Sequence, residues 1–323
     1  MKQRHELKPL FKERMQKLLT DEEDFKAYSE IIHTSPQNFV RCNTLKISTD
    51  DLFERLNKKW KVVQPFKGHP EIMLIEGELA PGELGRSIEH ILGYYYVQEV
   101  SSMLSVIALN PQPGDLVLDL AAAPGSKTTQ IAAAMGNSGT VVANEIVMGR
   151  MAILSANLER CGASNTIITR NDGVALCSRI QQRTEMRFDK VLLDAPCSGE
   201  GTLRSSAKAF IQWNIKAVES FSRQQKKMLA MALKCLKVGG TLVYSTCTHS
   251  PEENEEVIDF ALKNFKVRVE TLDLPIKCRP GVKSWGKEVY SEDVAKACRI
   301  YPQDNNSEGF FVTKMTLLEE VTN

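Results

Sequence analysis

The sequence lacks a surplus of either charge. Its 41 Lys and Arg stand against 40 Asp and Glu, a net charge of +1 in 323 residues. That excludes holding nucleic acid by bulk charge and leaves only a local basic patch. No apolar run approaches the roughly 18 residues a membrane span needs, and MKQRHELKPLFKERM has no apolar stretch of the signal-peptide kind. The eight cysteines, at 42, 161, 177, 197, 235, 247, 278 and 298, form no C-x-x-C pair. No zinc site, and no other metal, is therefore expected. Unclustered thiols without an export signal read as reduced side chains of a cytoplasmic protein that needs no membrane. No obligate protein partner is implied. Internal repeats and low-complexity tracts are absent, and 42% hydrophobic with 25% charged residues is ordinary for a folded soluble chain.

What is present suggests about two domains at roughly 150 residues each. Residues 1–32 read as two charged amphipathic helices split near Thr20-Asp21. FVRCNTLKI (39–47) reads as a strand, Thr49-Asp50-Asp51 as the start of a helix through Lys59, and WKVVQPF and IMLI as further strands. This small α+β unit, 1–112, ends in the punctuation Asn110-Pro111-Gln112-Pro113-Gly114. From 113 to 323 strand-length apolar runs alternate with helical stretches: LVLDL, 126–135, TVVANE, 147–161, NTIITR, FDKVLLDA, 207–237, GTLVYSTC and 252–264. That rhythm predicts an α/β fold with a parallel sheet covered on both faces. VRVETL and GFFVTKM are expected to close it as a late hairpin-like pair.

Ligands of open α/β sheets bind beyond the carboxyl ends of the strands. The first such end is Asp119-Leu120-Ala121-Ala122-Ala123-Pro124-Gly125-Ser126-Lys127-Thr128. Ser126 between Gly125 and Lys127 breaks the P-loop pattern, and G-x-G-x-x-G is missing. A nucleoside-type cofactor approaching small residues remains, against a plain tight turn. Glu145 after the second strand is placed to accept from a ribose diol, or to cap the helix that holds Arg150. Asp172 after the third could accept from an adenine amine, or make an Asx-turn. Together the three describe an adenosine-bearing cofactor lying across the strand tips.

The fourth and fifth strands end in Asp194-Ala195-Pro196-Cys197 and Ser245-Thr246-Cys247. A buried small hydrophobe is the usual fate of a cysteine, and it suits Cys42, Cys161, Cys177, Cys235, Cys278 and Cys298. It suits Cys197 and Cys247 poorly, because both follow strands in turn-like sequence. Carbon 5 of a pyrimidine is a poor nucleophile until a thiolate adds to carbon 6. A carboxyl group near N3 then stabilises the charge, and a base removes the carbon-5 proton. Cys197, Cys247 and Asp194 supply that set, and spacing alone does not say which thiol attacks.

At these residues the chain resembles the NOL1/NOP2/Sun family of S-adenosylmethionine-dependent RNA cytosine-5 methyltransferases. The likeness rests on LDLAAAPGSKTTQ, DAPCSGEGTLR, LVYSTCTHSPEENEEV and SEGFFVTKM, and weakly on FVRCNTLK and YYYVQEVSSML. It implies a Rossmann-like methyltransferase sheet with a small N-terminal RNA-binding domain. It further implies S-adenosylmethionine held by Ala121, Ala122, Ala123, Pro124, Gly125, Ser126 and Lys127, with Glu145 on the ribose, Arg150 supporting it, Asp172 at the adenine and Asp194 adjoining. Cys247 is the implied nucleophile, Cys197 the residue that assists release, Asp194 the partner of the cytosine face, and Lys127 a neighbour of the reacting base. The family turn often begins with Cys where this chain has Ala121. No insertion is large enough for an extra RNA-binding domain of the pseudouridine-synthase-associated type, which makes an archaeal-type tRNA methyltransferase the first expectation and a ribosomal RNA enzyme the second. A non-catalytic RNA-binding assembly factor is the rival from another class, and an enzyme acting on DNA or an exocyclic amine the rival within enzymes.

Residues 202–227 carry Arg204, Lys208, Lys216, Arg223, Lys226 and Lys227 against Glu219, with Phe210, Trp213 and Phe221 interleaved. Cations neutralise phosphates and aromatic faces stack on bases. Arg204 and Lys208 are therefore the expected RNA contacts. The cations of 2–17 and of 277–287 are further candidates.

Overall fold

A computed structural model describes residues 6–321. Two helices come first, α1 (Pro9–Leu18) and α2 (Glu22–Ile31), separated at Asp21, whose carboxylate accepts the Asp24 amide at 3.0 Å. Their apolar faces do not meet the strands that follow. Phe11, Met15, Tyr28 and Ile32 bury themselves against Leu203, Phe210, Trp213 and Tyr301.

A four-stranded antiparallel sheet follows, built from β1 (Asn38–Cys42), β2 (Lys61–Val63), β3 (Ile72–Glu76) and β4 (Tyr95–Val97) in the order β2-β3-β1-β4. Helix α3 (Thr49–Asn57) links β1 to β2, and one-turn helices α4 (Glu83–Arg86) and α5 (Ile88–Ile91) precede β4. The strand expected over 39–47 stops at Cys42. Asn43 turns the chain there, its side-chain amide donating to the carbonyls of Gly93 at 2.8 Å and Cys161 at 2.7 Å. Ser48 rather than Thr49 caps α3, accepting the Asp51 amide.

Helix α6 (Val100–Leu109) was not expected from the sequence. Its Leu104, Val106, Ala108 and Leu109 pack with Val117, Ile131, Val243 and Val312 of the larger sheet. Its Val100 and Met103 pack with Phe39 and Ile72 of the smaller sheet, so α6 bridges the two sheets ahead of the Pro/Gly stretch at 110–114. With α1 and α2 also packed elsewhere, the described part of 1–112 is not one packing unit.

The rest alternates as the sequence predicts: β5 (Leu116–Asp119), α7 (Ser126–Ala134), β6 (Thr140–Asn144), α8 (Met148–Cys161), β7 (Thr166–Thr169), α9 (Gly173–Arg183) and β8 (Phe188–Asp194). The single helix expected at 207–237 is two, α10 (Ala207–Gln212) and α11 (Ile215–Lys234), because Asn214 caps a new start by accepting the Ala217 amide at 2.9 Å. Then come β9 (Leu236–Thr246), α12 (Glu255–Asn264), β10 (Val267–Glu270), β11 (Arg279–Pro280), the ribbon of β12 (Ser284–Trp285) and β13 (Glu288–Val289), β14 (Cys298–Ile300), α13 (Pro302–Asn305) and β15 (Phe310–Leu317). The sheet runs β11-β14-β15-β9-β8-β5-β6-β7, with β10 on β15. From β9 to β7 the pairings are parallel, and β15 lies antiparallel to both β9 and β10.

Alternation along each strand feeds two cores. Leu118, Val191, Leu193 and Tyr244 face one side, and Val117, Leu192 and Val243 the other. The chain leaves β5 toward β6 and later returns to its opposite edge as β8. That reversal opens a crevice at the carboxyl ends of β5 and β8. Among the described residues, no helix is long and apolar enough to cross a membrane.

Candidate active site

The crevice holds a cavity of about 470 Å³, lined among others by Ala121, Ala122, Ala123, Pro124, Ser126, Lys127, Asp194 and Cys247. Its size suits a small-molecule ligand. The turn from β5 into α7 needs Gly125, whose φ is 105°, and a Cβ there would stand 3.0 Å from Leu154 Cδ1. Gly125 at the N-cap of α7 offers no side-chain cap, so the first amides of the helix suit a ligand. Beneath the turn, Asp119 is 1% exposed and accepts from Thr128 Oγ1 at 2.7 Å. Its other oxygen has no hydrogen-bond partner among the described residues, and burial pushes its carboxyl up to about 7.

At the end of β6, Glu145 is buried. It accepts the Val147 amide at 2.8 Å, and its second oxygen lies 3.2 Å from Arg150 Nη1. Arg150 Nη2 donates to the Ala123 carbonyl at 2.7 Å, joining this carboxylate to the turn after β5. Asp172 is exposed and caps α9 through the Ala175 amide at 2.9 Å. Glu145, Arg150 and Asp172 are not among the residues lining the cavity. Beside Glu145, the apolar side chains of Ile146, Val147 and Met148 are about half exposed at 54%, 49% and 51%, a rim the sequence reading missed.

The two thiols meet. Cys197 Sγ and Cys247 Sγ are 3.1 Å apart, both unoxidised. Contact with Cys247, then burial, pushes the Cys197 thiol well up. The loops that carry them are tied together by Ser198 Oγ and Thr248 Oγ1 at 2.8 Å and by the Gly201 amide on the Cys247 carbonyl at 2.8 Å. Buried Glu200 adds three bonds, accepting from Trp213 Nε1, the His249 amide and Ser250 Oγ. Cys247 lines the cavity and Cys197 stands behind it.

Lys127 Nζ lies 2.8 Å from Asp194 Oδ2, donates to Ser102 Oγ at 2.8 Å and sits 5.5 Å from the Phe310 ring centroid. Ser245 Oγ donates to the other Asp194 oxygen at 2.7 Å. One cavity thus joins a thiol, a carboxylate and an ammonium group. The sequence reading missed Ser102, Ser245, Phe310, Glu200 and Glu253. All five lie inside the quoted motifs, Ser102 in YYYVQEVSSML, so position in a motif was their available signal.

Residues 106–316 match the family model described as 16S rRNA methyltransferase RsmB/F. The chain belongs to the RsmB/F methyltransferase family. Residues 7–100 match the N-terminal domain of 16S rRNA methyltransferase RsmF. This RsmB/F member is 39% identical over 298 residues to a tRNA (cytosine(49)-C(5))-methyltransferase of Pyrococcus abyssi, covering 92% of each chain. It is 38% identical over 317 residues to ribosomal RNA small subunit methyltransferase F of Erwinia tasmaniensis, covering 97% of this chain and 64% of that one. A solved methyltransferase homolog from Pyrococcus horikoshii superposes with a TM-score of 0.81 at 34% identity, covering 96% of this chain and 95% of that chain.

The expected RNA contacts need correction in this RsmB/F chain. Arg204 is 3% exposed, and its guanidinium donates to Ser307 O, Thr34 Oγ1, Ser35 O and Asn306 Oδ1. It is an internal clamp. Phe210 and Trp213 are core residues. Lys8 donates to the Ile211 and Trp213 carbonyls, and Arg14 pairs with Glu252 at 2.6 Å. In 277–287, Lys277 and Arg279 bind Asp304, Arg279 also binds Asp24, and Lys283 pairs with Glu292. Lys208 is exposed on α10. Lys2 and Arg4 lie outside the described residues.

Proposed function

We propose that this chain transfers a methyl group from S-adenosylmethionine to carbon 5 of a cytosine in structured RNA, through a transient bond between Cys247 and carbon 6. The observation that carries the reading is Cys247 on a cavity shared with Asp194 and Lys127, backed by a second thiol at 3.1 Å.

The cofactor, when bound, supplies the methyl group. The turn Ala121–Gly125 and the uncapped start of α7, with Ser126 and Lys127, suit its carboxylate end. Glu145 keeps acceptor capacity for a ribose diol and is steadied by Arg150. Asp172 and the exposed rim at Ile146 suit the adenine. On the base, Cys247 Sγ forms the bond to carbon 6 and makes carbon 5 nucleophilic. Asp194 and Lys127 meet the charge that develops around N3 and O2. Cys197 takes the carbon-5 proton as the Cys247–carbon 6 bond breaks. Of the two expected RNA contacts Lys208 remains, and Lys216, Arg223 and Lys227 of the same block are exposed too.

Transfer RNA is the first substrate class, favoured by the tRNA methyltransferase relative that matches along 92% of both chains. Ribosomal RNA is the second, favoured by the RsmB/F and RsmF models. Eight free thiols suit the reducing cytoplasm where either RNA is made. The test is methylation of folded, purified tRNA and rRNA by wild type, Cys247→Ala and Cys197→Ala. Wild type methylates cytosine, Cys247→Ala does not, and Cys197→Ala accumulates a covalent RNA adduct. An active Cys247→Ala variant overturns the chemistry. Methylation of rRNA without tRNA overturns the substrate order, and an inert wild type that binds RNA supports an assembly factor.

A further inference from the structure

Glu253, in the turn before α12, is fully buried yet only half satisfied. One carboxylate oxygen accepts from the Ser198 amide at 3.0 Å and from Gln225 Nε2 at 2.9 Å. Gln225 also donates to the Pro196 carbonyl at 2.8 Å. The carboxylate is thereby held against the backbone on both sides of Cys197. Its second oxygen has no hydrogen-bond partner among the described residues. An orphaned oxygen in an interior is costly, and simple loop anchoring does not require it.

We propose that Glu253 is a positioning residue that accepts the thiol proton of Cys197 and so lets Cys197 act as the base at carbon 5. This rests on the reading of Cys247 as nucleophile and Cys197 as base. The Cys197 S–H bond breaks as an O–H bond forms on Glu253. The thiolate then takes the carbon-5 proton, the released electron pair closes the carbon 5–carbon 6 double bond, and Cys247 departs as thiolate. The proton on Glu253 passes to water, matching the one proton that methylation liberates.

Contact with Cys247 and burial push the Cys197 thiol well up, and the charge of Glu253 adds to that, so the thiol parts with its proton only as a neighbouring acceptor takes it and its charge is neutralised. Burial first, then the charge of Glu200, pushes the Glu253 carboxyl up to about 7 against the pull of its Ser198 and Gln225 bonds. The titratable groups facing it are the Cys197 thiol and Glu200 from the loop after β8 and, from β9, Tyr244, whose hydroxyl donates to the Glu253 carbonyl at 2.6 Å. Glu253 therefore stands as carboxylate in alkaline solution and as acid below neutrality, and release is expected to speed up as pH rises through about 7.

The test is single-turnover methylation of RNA, following methyl transfer and adduct release separately from pH 5.5 to 9. Glu253→Gln keeps an oxygen for the Ser198 amide and loses the proton acceptor. It is expected to slow release by about tenfold or more, to accumulate adduct and to flatten the pH profile. In a Cys197→Ala background it adds nothing, whereas a purely structural defect would add. Normal release by Glu253→Gln, with adduct accumulating in Cys197→Ala, overturns the proposal and spares the underlying reading. Absence of adduct in Cys197→Ala overturns that reading itself. If Glu253→Gln fails to fold, a wild-type release rate that is flat across neutrality overturns the proposal, and one that rises through it supports it.

Discussion

Arg204 separates an RNA contact from a structural clamp more sharply than any other side chain. Its guanidinium meets the carbonyls of Ser35 at 2.7 Å and Ser307 at 2.8 Å and the side chains of Thr34 and Asn306 at 3.0 and 2.7 Å. A hydrogen bond to a charged group contributes about 1.5–3 kcal/mol. Four bonds on one side chain are far from additive, so Arg204→Ala is expected to cost about 3–4 kcal/mol in all. With a urea slope of about 3 kcal/mol per molar, the unfolding midpoint falls by about 1 M. Arg204→Lys keeps the charge but not the fork that spans four acceptors, and recovers about 1 kcal/mol at most. The assay is urea unfolding by circular dichroism beside RNA binding titrated against salt. A phosphate contact behaves oppositely: its loss leaves the midpoint in place and lowers the salt slope by about one. An Arg204→Ala variant with an unchanged midpoint and a reduced slope would refute the clamp.

Gly201→Ala would set a Cβ 2.1 Å from the Gly309 carbonyl and 3.0 Å from that of Cys247, so the loops must part. A stability loss of about 2 kcal/mol or more is expected together with a drop in kcat, and wild-type turnover would contradict it. Lys127→Gln removes the cation 2.8 Å from Asp194 and should slow single-turnover methyl transfer by about a hundredfold; an unchanged rate argues that the ammonium meets no developing charge. Burial raises the Asp119 carboxyl to about 7 in the fold, above its unfolded value near 3.9. The native state then holds the proton more tightly, so stability should fall as pH rises from about 4 to about 7 and level off above. Asp119→Asn should remove its share of that fall and leave the share of Glu253, whose carboxyl is raised likewise to about 7, and parallel stability curves for variant and wild type would show that Asp119 contributes nothing.

The strand tips were legible because they are local. A Gly turn, an acid after a strand and a thiol beyond an apolar run are each written within a few residues, and β5 to β9 place them on one edge. Arg204 was misread because its acceptors Ser35 and Ser307 lie 169 and 103 residues away. Composition cannot distinguish a cation bound for such partners from a solvated one. The same distance hid the fate of Phe210 and Trp213, whose partners Phe11 and Met15 come from α1. Helix α6 escaped for another reason. VSSMLSVIAL buries Val100, Met103, Leu104, Val106 and Leu109, so it shows no amphipathic stripe to announce a helix. The break at Asn214 did carry a local signal, an N-cap residue, which a longer run of helical composition outweighed.

The N-terminal segment takes part in building the turn from β5 into α7. Arg41 on β1 is 2% exposed, donates to Gln98 Oε1 and Thr129 Oγ1 at 2.9 Å each and to the Ser126 carbonyl at 3.3 Å. Burial lowers its pKa to about 10, which leaves it charged at neutral pH. A fixed cation therefore stands at the first turn of α7, where the helix already presents about half a positive charge. Both favour the anionic end of a ligand at Ser126 and Lys127. On the opposite flank, Arg14 of α1 binds Glu252 and Asp24 of α2 binds Arg279, one residue before Glu253 in the first case and across from α13 in the second. Residues 113–323 alone would lose the Arg41 charge at the turn from β5 into α7, uncover Leu203, Phe210, Trp213 and Val218, and leave the turn beside the thiols without its outer brace. The region whose family model ends at residue 100 is thus part of the frame around the cavity, and any RNA contact it makes is added to that duty.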